Sequence, residues 1–186
     1  MKSQGGVRMR IEIREQGTPA FYKEVVCAMA QYMRIAKKPE RKLEDTFKLL
    51  KIYIAVCGVF LVLIVLMGIF WGADGLTVLT VTILLAAIFL SAVQLNRLNQ
   101  LYKSLEEDEH LSILTLDEQG VELNKEGSQL VRIAWDNVAF LRVFKESLCF
   151  FSKDVRGIII AVSRKYEDQI FDYLSHNNVE IKIIKA

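Results

Sequence analysis

The sequence predicts an α+β membrane protein: a two-helix transmembrane hairpin with helical extensions, joined to a curled antiparallel β-sheet capped by a C-terminal helix. Three observations carry this. Residues 52–73 and 75–96 form two 22-residue runs without a charged side chain, with a lone Asp74 between them. From residue 111 onward, short apolar-polar runs alternate with turns marked by Gly, Asp and Asn, the period of half-buried strands. Over 164–176 the apolar residues Tyr166, Ile170, Phe171, Tyr173 and Leu174 recur at helical spacing.

A helix of 22 residues at 1.5 Å rise reaches about 33 Å, enough to cross a hydrocarbon layer of roughly 30 Å. The β-branched content of 52–73 would favour strand in water. In lipid, however, only a helix satisfies its own backbone within one segment. Gly72-Ala73-Asp74-Gly75 leaves room for a tight return, so the two helices run antiparallel. Ala55 and Gly58 fall at the depth of Ala92, and Ala87 and Ser91 form a small-xxx-small pair that would let the backbones approach. Arg34, Lys37, Lys38, Arg41, Lys42, Lys48 and Lys51 precede the first run, Arg97 and Lys103 follow the second, and the turn has no base. The positive-inside bias then places both termini on the cytoplasmic side and the turn on the far side. Fifty-one residues precede the first run, so it does not read as a cleaved leader. The spans hold no ionisable group, which argues against a self-contained channel, pump or transporter.

Residues 7–14 alternate apolar and charged, the pattern of a strand with one buried face. A single strand needs a sheet, and the other sheet-forming sequence lies beyond residue 110, so the N-terminus is expected to cross back and join it. Thr18-Pro19 opens a helix over 19–36, with Thr as N-cap and Pro in the first turn. Its broad apolar side, from Phe21 and Tyr22 to Ile35, is expected to pack on the sheet rather than lie in the membrane interface. Lys38-Pro39 ends it. Residues 40–51 are expected to run as helix into the first span and 97–108 to continue the second. Leu43, Phe47 and Leu50 then face Leu98, Leu101, Tyr102 and Leu105 in a short stalk, with Lys37, Lys38, Arg41 and Lys42 near Glu106, Glu107, Asp108 and Glu109.

Strands are expected over 112–116, 121–123, 130–135, 139–144, 148–152 and 157–162, the first turns ending in Gly120 and Gly127 where a positive φ is wanted. Ser163 caps helix 164–176, and 179–184 is a last strand. The organisation is thus an N-terminal strand and helix (1–38), a hairpin with its stalk (39–110) and a β-domain (111–186).

Residues 1–51 carry 12 basic and 6 acidic side chains, whereas 111–186 carry 10 and 11. Base concentrated beside the spans suits anionic headgroups, and the near-neutral β-domain excludes nucleic acid as a partner. Cys27, Cys57 and Cys149 lie in different elements with no CxxC, as reduced packing thiols do. His110 and His176 are too few and too separate for a metal site, and the acidic run 106–109 points all round a helix instead of converging. No phosphate loop, nucleophile elbow or zinc motif is present. No catalytic residue and no cofactor is therefore assigned, and the chain is expected not to be an enzyme. Phe150 and Phe151 point to opposite faces of one strand, so one ring should lie outward as a partner surface. Arg164 and Lys165 are the candidate headgroup contacts.

The block Leu114-Thr-Leu-Asp-Glu-Gln-Gly-Val-Glu-Leu123, the stretch Ile133-Ala-Trp-Asp-Asn-Val138 and Ile160-Ala-Val-Ser-Arg-Lys-Tyr166, all following a two-span hairpin, resemble the YcxB-like family of small bacterial membrane proteins. The resemblance covers roughly residues 40–176. Ser163 stands where the family's pattern has Pro, while Arg164 and Lys165 keep its bases. It implies a pleckstrin-homology-like C-terminal domain and no catalytic residues. On this reading the chain is a membrane-anchored, protein-binding or regulatory module, with a protein partner and possible self-association. Its rivals are a sensor of anionic lipid or small ligand, and an accessory subunit of a transport complex.

Overall fold

The structure, a computed structural model, describes residues 8–13, 17–72, 74–107, 112–125, 130–154 and 157–185. In chain order its elements are strand β1 (Met9–Ile13), helices α1 (Pro19–Ala30), α2 (Tyr32–Lys37), α3 (Thr46–Trp71) and α4 (Gly75–Glu106), strands β2 (Ser112–Asp117), β3 (Gly120–Lys125), β4 (Val131–Ala134), β5 (Val138–Val143), β6 (Ser147–Ser152) and β7 (Ile159–Ser163), helix α5 (Glu167–His176) and strand β8 (Ile183–Lys185). They fall into two compact units: Glu44–Lys103, and Met1–Leu43 with Ser104–Ala186.

In the first of these, α3 and α4 are long and apolar enough to cross a membrane, and only 6% of the most apolar window of each is buried. A core helix of a soluble protein would be mostly buried; here Phe60, Phe70 and Phe89 are 55%, 78% and 67% exposed. The covered positions of α3 include Phe47, Leu50, Ile54, Cys57, Leu61, Ile64 and Gly68, and those of α4 include Thr77, Val81, Leu84, Ile88, Ser91, Leu95, Leu98 and Tyr102. Their alternating spacing of three and four is the seam of an antiparallel helix pair. Phe47 meets Tyr102 edge-on, ring centroids 6.4 Å apart, so the expected contact between the extensions is present at its base.

The expected small-xxx-small pair lies on the covered side of α4, Ser91 buried and Ala87 half-buried, but the other small residues do not act as expected. Ala55 and Ala92 are exposed, and a Cβ on Gly58 would meet nothing within 4 Å. On α3 the seam buries Cys57 in their place. Nor does helix begin at residue 40: Asp45 caps α3 by accepting from Lys48 N at 3.1 Å, and residues 41–45 are irregular. Asp108 and Glu109, half of the expected charge pairing, lie outside the described residues. At the turn Gly72 takes φ 86°, a conformation glycine adopts without strain. Asp74 then caps α4 through Thr77 N at 2.8 Å.

In the second unit β1 does cross to the later sheet. It pairs antiparallel with β2 in the register Met9↔Leu116, Ile11↔Leu114 and Ile13↔Ser112, and the first sheet has the order β1-β2-β3-β4. Parity sends Ile11 inward and Arg10 and Glu12 outward. Instead of one curled sheet, the strands divide into two. A 3-10 turn at Trp135–Asn137 redirects the chain after β4, and the second sheet has the order β7-β6-β5-β8, with β8 parallel to β5. Neither sheet closes into a barrel.

The first core lies among both sheets and α5: Ile11, Leu114, Leu116, Val121 and Ile133 meet Leu141, Leu148, Phe150, Ile160 and Val162, and α5 adds Ile170, Tyr173 and Leu174. The second core covers the other face of the second sheet, where Ala28, Tyr32 and Ile35 pack on Phe140, Phe144, Cys149, Phe151, Ile159 and Ile184. Helix 19–36 therefore packs on protein, as its amphipathic pattern predicts, although it breaks at Gln31. Thr18 caps it by accepting from Phe21 N at 3.1 Å. The capping expected of Ser163 is not made: its side chain forms no cap bond, Arg164–Tyr166 is a 3-10 turn, and α5 starts at Glu167.

Candidate functional site

Phe150 and Phe151 do face opposite ways, and both are fully buried. Phe150 lies in the first core beside Trp135. Phe151 lies in the second, stacked on Phe140 at 4.7 Å and on Tyr32 at 5.8 Å. The expected outward ring is absent because α1 and α2 occupy that face. These rings are core; the run 147–152 lacks polar alternation because both of its faces are covered.

Arg164 and Lys165 are both exposed, each beside a near neighbour in sequence. Arg164 Nε donates to Glu167 Oε2 at 2.8 Å, and Lys185 approaches the same carboxylate at 3.4 Å. The Arg164 hydrogen bond, with the two positive charges beside it, holds the Glu167 carboxyl below its ordinary range. Lys165 Nζ lies over its neighbour Tyr166, 5.0 Å from the ring centroid.

The motifs that carry the family resemblance build a corner. The Asp117 carboxylate accepts from Gln119 N at 2.9 Å and Gly120 N at 3.1 Å, and Arg132 clamps both of its oxygens at 2.9 and 3.0 Å. Trp135 Nε1 donates to the Asp117 carbonyl at 2.8 Å. Gly120 has φ 158°, close to extended backbone; what demands glycine is the β4 backbone, since a Cβ would meet the Ile133 carbonyl and lie 2.8 Å from Ala134 Cα. Gly127 lies outside the described residues. His176 Nδ1 lies 2.7 Å from the Asp172 carbonyl, one turn back on α5, and His110 lies outside the described residues. Among the described residues, no three His, Cys, Asp or Glu side chains come together as a metal site.

Two features go beyond the sequence reading. On the outward face of the first sheet, Arg8, Arg10, Ile113, Thr115, Glu122 and Asn124 line an open hollow of 450 Å³. Strand parity could have found it, since these residues hold the outward positions of β2, β3 and the β1 segment. The second is a polar cluster beneath α1. Glu24 accepts from Lys145 N at 3.1 Å, Glu146 N at 3.0 Å and Ser147 Oγ at 2.7 Å, pinning α1 to the β5–β6 turn. Arg142, opposite Cys149 in the ladder, is 1% exposed. Burial lowers its pKa, and burial pushes the Cys149 thiol up to about 12 despite the Ser147 hydroxyl and Arg142, so the thiol is unreactive at neutral pH. The signal for Arg142 was a charge within the apolar run 138–144.

No family model and no curated sequence matches the chain. A solved structure described as the Spt16D Pob3N heterodimer is similar at a TM-score of 0.31 and 6% identity, covering 41% of this chain and 47% of that one. The chain thus spans less than half the length of that one, and at this TM-score the likeness fixes neither fold nor function.

Proposed function

We propose that this chain is a membrane-anchored binding module, regulatory rather than catalytic, whose two-sheet domain stands on the cytoplasmic side of a bacterial plasma (inner) membrane and engages a protein partner. The carrying observation is the contrast in burial. The α3–α4 pair covers a narrow seam and leaves its other apolar side chains exposed, whereas the sheets enclose theirs in two cores. A two-helix apolar sheath is a surface that a bilayer solvates and water does not. Seven bases lie shortly before the first span, two follow the second and none is in the turn, which favours both termini on the cytoplasmic side.

Four antiparallel strands, then three, then a helix packed into the core support a pleckstrin-homology-like reading of the domain, and with it the YcxB-like resemblance. The partner surface is the hollow on the first sheet. Its lining mixes Arg8 and Arg10 with Glu122, Thr115, Asn124 and Ile113, which suits a protein surface better than an anionic bilayer. Arg164 and Lys165, the candidates for a lipid sensor, already contact Glu167 and Tyr166.

Two experiments test this. Reporter fusions at Gly75 and at the C-terminus should report opposite sides of the membrane; matching reports overturn the placement. A photocrosslinker at Asn124 in cells should yield a discrete adduct that Arg10→Glu/Glu122→Lys abolishes without loss of folded protein. An adduct indifferent to that charge reversal removes the hollow from the proposal.

A further inference from the structure

Arg142 is a buried cation whose donors are largely unused. Of its five N–H bonds, one reaches the Arg41 carbonyl through Nη2, and the guanidinium carbon lies 4.6 Å from the Phe144 ring centroid. Nε and Nη1 are buried without a hydrogen-bond partner. Glu24, which approaches the same sheet face, is committed to the β5–β6 turn, and the ladder neighbours of Arg142 are Cys149 and Ile184. An unpaired buried charge is among the most unfavourable arrangements a fold can hold, and a simple tie to one carbonyl does not require a guanidinium.

The group that meets Arg142 comes from the segment 38–43. This segment contains Pro39, is tied by Lys38 N to the Arg34 carbonyl at 3.1 Å and by Arg41 N to the Lys38 carbonyl at 3.0 Å, and packs Leu43 on the second core. It is neither helix nor strand. A segment outside helix and sheet opens at lower free energy than the strands beneath it.

We propose that Arg142 is a receiving site for an oxyanion, a phosphate or carboxylate group, and that the segment 38–43 closes it. With the segment down, the guanidinium has only the Arg41 carbonyl. With it lifted, Nε, Nη1 and Nη2 form charge-assisted bonds to the anion, the geometry for which a guanidinium is suited. Because Nε and Nη1 are sealed in the closed state, the anion binds the open state alone and holds it open.

The test uses the full chain in detergent and in vesicles, reading amide hydrogen exchange of the peptide over 38–45. Sodium phosphate or sodium acetate, against sodium chloride at matched ionic strength, should raise exchange about tenfold at about ten times the dissociation constant, because open-state binding multiplies the open population by that factor. A rise on reconstitution into phosphatidylglycerol vesicles but not phosphatidylcholine vesicles, without added anion, assigns the oxyanion to a lipid headgroup; a rise with the soluble salts assigns it to a free anion. Arg142→Met should abolish either response and melt higher than the parent chain, since it removes an unpaired buried charge. Unchanged or slowed exchange in every arm overturns the proposal. So does an Arg142→Met chain that melts lower or fails to fold, which would make the guanidinium a structural tie.

Discussion

Removing a single oxygen from Tyr32 should lower the stability of the two-sheet domain by about 1–3 kcal/mol. The Tyr32 hydroxyl lies 2.5 Å from the Ser152 carbonyl and 2.9 Å from the Asp154 carbonyl, and the residue is 7% exposed. A net intramolecular hydrogen bond contributes about 0.5–1.5 kcal/mol, and a buried carbonyl left without its donor costs about 1–3 kcal/mol. Tyr32→Phe keeps the ring on Phe151 and isolates this term. Tyr32→Ala also removes the ring and opens a cavity, so about 3–5 kcal/mol is expected. Tyr173 supplies the control, since its hydroxyl is buried with no partner in the structure. Tyr173→Phe should be neutral or stabilising by up to about 1 kcal/mol. Both phenols have pKa values raised above 10.0, chiefly by burial, with Asp154 adding to Tyr32 and Asp117 and Glu118 adding to Tyr173. A raised folded-state pKa means that their contribution is complete below pH 10 and is lost as pH rises through the folded value. Tyr32→Phe should therefore flatten, without abolishing, the alkaline fall in stability. Denaturant unfolding of the full chain in detergent, followed by near-ultraviolet circular dichroism across pH, measures all of this. The reasoning is refuted if Tyr32→Phe stays within about 0.3 kcal/mol of the parent, or if Tyr173→Phe costs as much as Tyr32→Phe.

Other perturbations probe the remaining joints. Glu24→Gln places an amide NH2 against donors at the β5–β6 turn and should cost about 1.5–3 kcal/mol, the range for hydrogen bonds to a charged group; an unchanged denaturation midpoint would show that α1 is held by its apolar face alone. Gly120→Ala forces a Cβ into the β4 backbone and should destabilise by about 1–3 kcal/mol, read as a lowered melting temperature with loss of protected amides in 120–134. Phe47→Cys with Tyr102→Cys should form a disulfide under mild oxidation, whereas Phe47→Cys with Leu101→Cys should not; the reverse preference would put the helix pair in another register.

Much of the architecture was legible in residue patterns because those patterns report local physics. The uncharged runs 52–73 and 75–96, the Thr18-Pro19 start and the alternation of residues 7–14 each state a period or a cap that needs no knowledge of the rest of the chain. Even the crossing of β1 to the later sheet follows from requirement, since a strand with one apolar face must find a sheet, although its pairing with β2 does not. The candidate site was far less legible. Phe150 and Phe151 have the parity of one inward and one outward ring, and only the placement of α1 and α2 on that face decides that both are core. Arg164 and Lys165 read as exposed bases and are exposed, and only the fold shows Arg164 beside Glu167 and Lys165 over Tyr166.

What the sequence determined by itself was which segments are apolar enough for a membrane, which are helix or strand, and which face of each seeks cover, because periodicity and capping are properties of neighbouring residues. Only the tertiary structure decided that the strands split into two sheets at Trp135–Asn137 and that the seam on α3 buries Cys57 rather than Ala55. It alone decided, too, that Arg142 is closed in beneath Arg41. Those outcomes depend on which distant surfaces meet, and the solvation of a side chain is settled by what covers it, which no local pattern records.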